Sequence, residues 1–214
     1  MVSPVLVTAL ALIALLAANY WNHRPAIWLA KPLASSGFVA VALAAGGLAK
    51  VAQGDPYAVA LMAGLALSWL GDVLLIPEGR PAVFRAGIFA FLLGHVAYAL
   101  AFISLGLDPV GGLVGGLLLV VPAFWVLRKL GPHVPRELLF AVRAYVVVIS
   151  AMLLCAAATV VQGGNPQILL GAALFYVSDL AVARDRFIAP GFANAAWGLP
   201  LYYGAQVILA QTLV

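Results

Sequence analysis

The sequence predicts an all-α, polytopic membrane protein with eight transmembrane helices, one integral membrane domain over residues 1–214 and both termini on the non-cytoplasmic side. Three observations predict it. Of the 214 residues 65% are hydrophobic and only 8% charged, with mean hydropathy +1.12. Soluble domains carry about a quarter charged residues, so this chain cannot cover a water-facing surface. Apolar runs recur at roughly the 20-residue length that a spanning helix needs. The basic residues fall almost entirely in alternate connections, which sets orientation.

The runs lie at about 4–21, 30–49, 57–76, 84–106, 110–127, 138–161, 166–183 and 192–213. The first ends at Asn22-His23-Arg24-Pro25, a turn of helix-breaking and basic residues. The second opens on Lys31-Pro32 and stops before Gln53-Gly54-Asp55-Pro56. The third carries Asp72 and ends at Pro77-Glu78-Gly79-Arg80-Pro81. The fourth holds His95 and gives way to Asp108-Pro109. The fifth precedes Gly131-Pro132-His133-Val134-Pro135. The sixth holds Arg143 and Tyr145 and ends at Gly163-Gly164-Asn165-Pro166. The seventh carries Asp179 and ends before Pro190-Gly191. The eighth brings Asn194, Trp197, Tyr202, Tyr203 and Gln206. The connections are short, so consecutive helices are expected to be neighbours.

Connections after the first, third, fifth and seventh runs hold Arg24, Lys31, Arg80, Arg85, Arg128, Lys129, Arg136, Arg184 and Arg186, against Lys50 alone on the other side. The positive charges follow the first run instead of preceding it, which fits an uncleaved helix better than a signal peptide. The Ala/Gly/Arg-rich usage points to a bacterial cytoplasmic membrane. A net charge of +4, scattered over short turns, is no stripe for tracking phosphates, so nucleic acid is not an expected partner. One cysteine, Cys155, allows no internal disulfide. His23, His95 and His133 have no metal-ligand spacing, and neither metal nor organic cofactor is expected.

The strings LSWLGDVLL and LFYVSDLAV each set an aspartate, Asp72 and Asp179, inside an apolar run. Aligned on the aspartates, Ala66-Leu67 falls over Ala173-Leu174, Trp69 over Tyr176, and His95 over Tyr202. This suggests a 4+4 parallel internal repeat about an axis along the membrane normal. A charge inside a membrane helix costs a few kcal/mol at least and usually faces a cavity or a partner. Counting about 1.5 Å per residue puts Asp72, Asp179 and Arg143 roughly 8 Å below the cytoplasmic surface, and His95 and Tyr202 roughly 15 Å. Arg143 either neutralises an aspartate or meets an anionic ligand, and Lys31 either snorkels to the interface or does the same.

At these positions the sequence resembles the YhhN-like lysoplasmalogenases. The resemblance rests on Lys31-Pro32-Leu33, Leu70-Gly71-Asp72-Val73-Leu74-Leu75, Phe84-Arg85-Ala86-Gly87 with Phe91-Leu92-Leu93-Gly94-His95-Val96-Ala97-Tyr98, Tyr176-Val177-Ser178-Asp179 and Leu199-Pro200-Leu201-Tyr202-Tyr203. It implies an eight-helix membrane hydrolase that cleaves the vinyl ether of a lysoplasmalogen to a fatty aldehyde and glycerophospho-ethanolamine or -choline. Lysophospholipid, water and membrane lipids are then the partners. Such a bond hydrolyses through an oxocarbenium ion, as glycosides do between two carboxyls. Asp72 and Asp179 are the expected acid/base pair, with the acid unassigned. Lys31 and Arg143 are expected at the phosphate, and His95, Tyr202 and Asn194 at water or glycerol hydroxyls. A proton-coupled transporter is the alternative reading, since pumps also use buried aspartates and repeats. An intramembrane aspartyl protease is disfavoured by Trp69, which stands where a G-x-G-D string needs glycine. The sequence sets no oligomeric state.

Overall fold

A computed structural model describes residues 3–214, and among them the ordered elements are all helical. In chain order these are α1 (Pro4–Tyr20), α2 (Arg24–Ala44), the short α3 (Gly47–Ala52), α4 (Pro56–Leu74), α5 (Pro81–Ser104), α6 (Pro109–Leu130), a 3-10 turn (Gly131–His133), α7 (Arg136–Val161), α8 (Pro166–Phe187) and α9 (Phe192–Gln211). Six of these, α2 and α4 to α8, are long and apolar enough to cross a membrane. With Leu, Val and Phe side chains facing outward along them, the protein is an integral, multi-pass membrane protein. Two of the eight expected spans fall outside that set. α1 has 17 residues, and α9 interrupts its apolar run with Asn194, Tyr202, Tyr203 and Gln206.

Local chemistry fixes the helix starts. Asp55, Asp108 and Asn165 each cap a helix whose first residue is proline. Asp55 Oδ1 accepts from Tyr57 N at 2.9 Å, Asp108 Oδ1 from Gly111 N at 2.6 Å, and Asn165 Oδ1 from Gln167 N at 2.9 Å. Proline at the first position forfeits no bond there and presets the helical φ. The same rule corrects one expectation. α2 begins at Arg24, six residues before the expected start, because Pro25 opens it and His23 Nδ1 accepts from Ala26 N at 3.2 Å. Lys31 therefore sits in the second turn of α2 instead of at its mouth. At the other end α2 stops at Ala44, where Gly46 takes a left-handed conformation (φ 83°) and redirects the chain into α3.

α4 packs along α5, α8 along α9, and α1 along α2. The centre is closed by α5 against α7 and by α9 against α2. α6 lies at the periphery, leaning on α7, and buries only Gly111, Val126 and Leu130. The basic turns are knitted together. Arg24 donates to Glu78 Oε1 at 2.5 Å and to Ile76 O at 2.7 Å, and the Arg186 guanidinium lies 3.9 Å from the Phe84 ring centre.

Candidate active site

Asp72 occupies the last turn of α4, on the face that also carries Gly64 and Ser68, because residues four apart share a side. That face looks into the bundle, and Asp72 is buried. Its Oδ2 accepts from Ser35 Oγ of α2 at 2.6 Å and from Tyr202 OH of α9 at 2.7 Å. Its Oδ1 lies 3.4 Å from Lys31 Nζ. Lys31 and Ser35 are one turn apart on α2, so one helix delivers both a cation and a hydroxyl. Tyr203 OH stands 3.3 Å from Ser35 Oγ and backs this arrangement.

Asp179 on α8 has different company. Tyr145 OH of α7 donates to its Oδ2 at 2.6 Å. His95 Nε2 of α5 lies 3.5 Å from the same oxygen. The other ring nitrogen of His95 is 2.6 Å from Phe91 O. A carbonyl only accepts, so Nδ1 carries hydrogen and Nε2 is left to face the carboxyl. Among the described residues no lysine or arginine pairs with Asp179. A chain of ring contacts joins the two carboxyls: Tyr202 to Phe175 at 5.3 Å between centroids, and Phe175 to His95 at 4.5 Å. Phe91 closes it, 5.8 Å from Tyr202 and 6.4 Å from Phe175.

Of the residues singled out from the sequence, Asp72, Asp179, Lys31, His95 and Tyr202 meet in this region. Lys31 faces a carboxylate directly. Arg143 and Asn194 do not join them. Arg143 is exposed and borders a small recess with Leu127, Leu130 and Val142. Asn194 is buried in the α8–α9 turn, where its amide donates to Asp185 Oδ1 and Ala189 O at 2.8 Å and its oxygen accepts from Arg184 at 2.5 Å. His95 and Asp179 stand at the same level, against the expected difference in depth. α8 runs on to Phe187, four residues past its expected end, so Asp179 lies about two turns inside it.

The YhhN family model matches residues 26–213, a span that holds every group described at this site. The chain belongs to the YhhN family. Among curated relatives it is 33% identical over 170 residues to "Lysoplasmalogenase TMEM86A" of Bos taurus, covering 74% of this chain and 67% of that protein. To "Lysoplasmalogenase TMEM86B" of Sus scrofa it is 32% identical over 171 residues, covering 78% and 68%. To "Lysoplasmalogenase TMEM86B" of Homo sapiens it is 32% identical over 177 residues, covering 83% and 69%. No solved structure matches it.

For this YhhN-family chain, sequence reading missed Ser35 altogether and gave Tyr145 no role. A serine in an apolar run is an ordinary packing residue by letter. The only signal for Ser35 was its place one turn after Lys31, and that carries weight only once Lys31 is known to face Asp72.

Proposed function

We propose that this YhhN-family protein is a lysoplasmalogenase: a hydrolase that cleaves the vinyl ether of an alkenyl-glycerophospho-ethanolamine or -choline to a fatty aldehyde and the glycerophospho compound. One observation carries the reading: two carboxyls, on α4 and α8, joined through a layer of aromatic rings, one ringed by donors and the other beside a histidine. Lys31, Ser35 and Tyr202 all present hydrogens to Asp72, which suits a carboxylate. Asp179 and His95 face each other at 3.5 Å with no cation beside the carboxyl, an arrangement that suits a protonated carboxyl. Asp179 is accordingly the acid and Asp72 the base.

The reaction then runs in three steps. Asp179 gives its proton to the vinyl carbon remote from oxygen, and the carbon next to oxygen becomes an oxocarbenium ion beside the Asp72 carboxylate. Water adds its oxygen to that carbon and gives a proton to Asp72, forming a hemiacetal. The hemiacetal hydroxyl then gives up its proton, the carbon–oxygen bond to glycerol breaks, the glycerol oxygen takes up that proton, and the aldehyde leaves. Asp179 is reprotonated by the proton that Asp72 received, through solvent or the site. Lys31, which is partly exposed beside Asp72, is the group available to a lipid phosphate.

The architecture that goes with this reading has eight crossings and two four-helix halves, with termini away from the cytoplasm, in a bacterial cytoplasmic membrane. The helix pairing supports the halves. α5 meets α7 as α9 meets α2, and each aspartate takes a partner from the fourth helix of the other half, Tyr202 for Asp72 and His95 for Asp179. A hydrolase site needs access from one side only. Beneath the carboxyls the fully buried Leu61, Leu65, Leu209 and Leu213 fill the bundle, which favours a hydrolase over a transporter.

Proton addition to carbon leaves a mark. In deuterated water the aldehyde, trapped as it forms, is expected to carry one deuterium on the carbon next to its carbonyl. Aldehyde released without deuterium contradicts the mechanism.

A further inference from the structure

One helical turn deeper than the carboxyls lies a second polar layer that the mechanism above does not use. Ser68 precedes Asp72 by one turn on α4, Tyr98 follows His95 by one turn on α5, and Gln206 follows Tyr202 by one turn on α9. α5 and α9 each run antiparallel to the helix they pair with, α4 and α8, so all three displacements point the same way, away from the basic turns. Ser68, Tyr98 and Gln206 are each fully buried. Tyr98 OH donates to Gln206 Oε1 at 2.6 Å. Ser68 lies beside the Tyr98 hydroxyl. Among the described residues Ser68 Oγ and Gln206 Nε2 have no hydrogen-bond partner, and neither has His95 Nε2.

Buried polar atoms in proteins are hydrogen-bonded, to protein or to ordered water, and leaving one bare costs about 1–3 kcal/mol. The helices are locked too closely to repack around these atoms. Gly64 admits the Tyr98 ring, and a Cβ there would lie 2.5 Å from it. A bound water needs two to four polar partners. Gln206 Nε2 donates, Ser68 Oγ does either, and the Tyr98 oxygen keeps lone pairs.

We propose that Ser68, Tyr98 and Gln206 form a buried water site that supplies the hydrolytic water to the carbon next to the ether oxygen, with Asp72 taking its proton. The inference rests on the proposed hydrolysis, and its stoichiometry is that of the second step above. Ser68 and Gln206 are positioning residues. They hold water on the side of Asp72 away from the basic turns, opposite the side on which Lys31 faces a head group.

Two measurements test it. The first is a high-resolution experimental structure of the wild type. Ordered water in contact with both Ser68 Oγ and Gln206 Nε2 is expected, and a dry gap overturns the site. The second is aldehyde formation by Ser68→Ala, Gln206→Leu and Ser68→Thr, run in water with added methanol, which traps the oxocarbenium ion as a mixed acetal. Ser68→Ala and Gln206→Leu are expected to lower kcat on the order of 10²-fold at unchanged KM and to raise the acetal-to-aldehyde ratio. Ser68→Thr, which keeps the hydroxyl, restores both. Folded variants with wild-type kcat, or a fall in kcat with the product ratio unmoved, overturn the role in water delivery. A wild type that makes no aldehyde fails the proposed hydrolysis instead, and the structure then decides the water site alone.

Discussion

Asp72 is buried and forms an ion pair with the partly exposed Lys31, and the energetics of that pair give a test independent of turnover. Removing one partner of such a pair leaves an uncompensated charge and costs about 3–5 kcal/mol. Lys31→Met is therefore expected to lower the melting temperature in detergent, and Lys31→Met with Asp72→Asn to recover part of the loss. A double variant no more stable than Lys31→Met contradicts the pairing. Tyr145 and Arg143 provide a second test. Tyr145→Phe removes a hydrogen bond to a carboxyl and is expected to lower kcat/KM about tenfold or more. Arg143→Gln is expected to leave it within about twofold, and a collapse of activity in Arg143→Gln contradicts the geometry. The two aspartates were legible in the sequence because a charge in an apolar run announces itself. Their partners were not. Residues two apart on a helix point about 200° apart, so when Tyr145 turns to Asp179, Arg143 turns away. Asn194 misled for another reason. It lies eight residues before Tyr202, about 12 Å along α9, and closes a turn there.

Apolar runs gave the helices, and their ends followed capping chemistry instead. The start of α2 is the instructive case, since Pro25 and His23 extend it by six residues past the apolar run and so place Lys31 and Ser35 well inside the helix. The sequence carried that signal as Arg24-Pro25, which an apolar-run criterion reads as a turn. The pairing of consecutive helices was legible in the short connections, and the close approaches within the pairs were not. The structure shows which glycines matter. A Cβ on Gly71 would lie 2.6 Å from the Phe91 ring, and one on Gly171 2.7 Å from Leu209. Gly71→Ala and Gly171→Ala are each expected to destabilise by about 1–3 kcal/mol, with Gly71→Ala also disturbing the rings between the carboxyls. Gly204, on the same α9 as Leu209, has nothing within 4 Å of such a Cβ. Gly204→Ala is expected to be neutral or to stabilise by up to about 1 kcal/mol. Thermal unfolding of the three variants side by side checks the ranking, and a Gly71→Ala protein as stable as Gly204→Ala contradicts the packing.

Across the whole molecule, the basic turns gather on one side, where Arg24 reaches Ile76 and Glu78 and Arg186 covers Phe84. Reporter fusions at the two termini and in the Gly131–Pro135 connection are expected to place the termini outside and the connection in the cytoplasm. The opposite pattern contradicts the orientation. The proposed internal repeat rests in the sequence on the two aspartates, the few letters that align around them and an equal spacing to His95 and Tyr202. Its physical content, each half lending a fourth-helix side chain to the other half's aspartate, depends on helix packing that no letter encodes. The central claim is that the asymmetric carboxyl pair hydrolyses a vinyl ether. It is tested most directly by fatty-aldehyde release from lysoplasmenyl-ethanolamine by the purified protein, with the saturated alkyl-ether analogue and the Asp72→Asn and Asp179→Asn variants alongside. Aldehyde from the vinyl ether alone, lost by about 10²-fold or more in each folded variant, is the predicted result. No aldehyde from folded wild type across head groups and pH, or full activity in either variant, would contradict it.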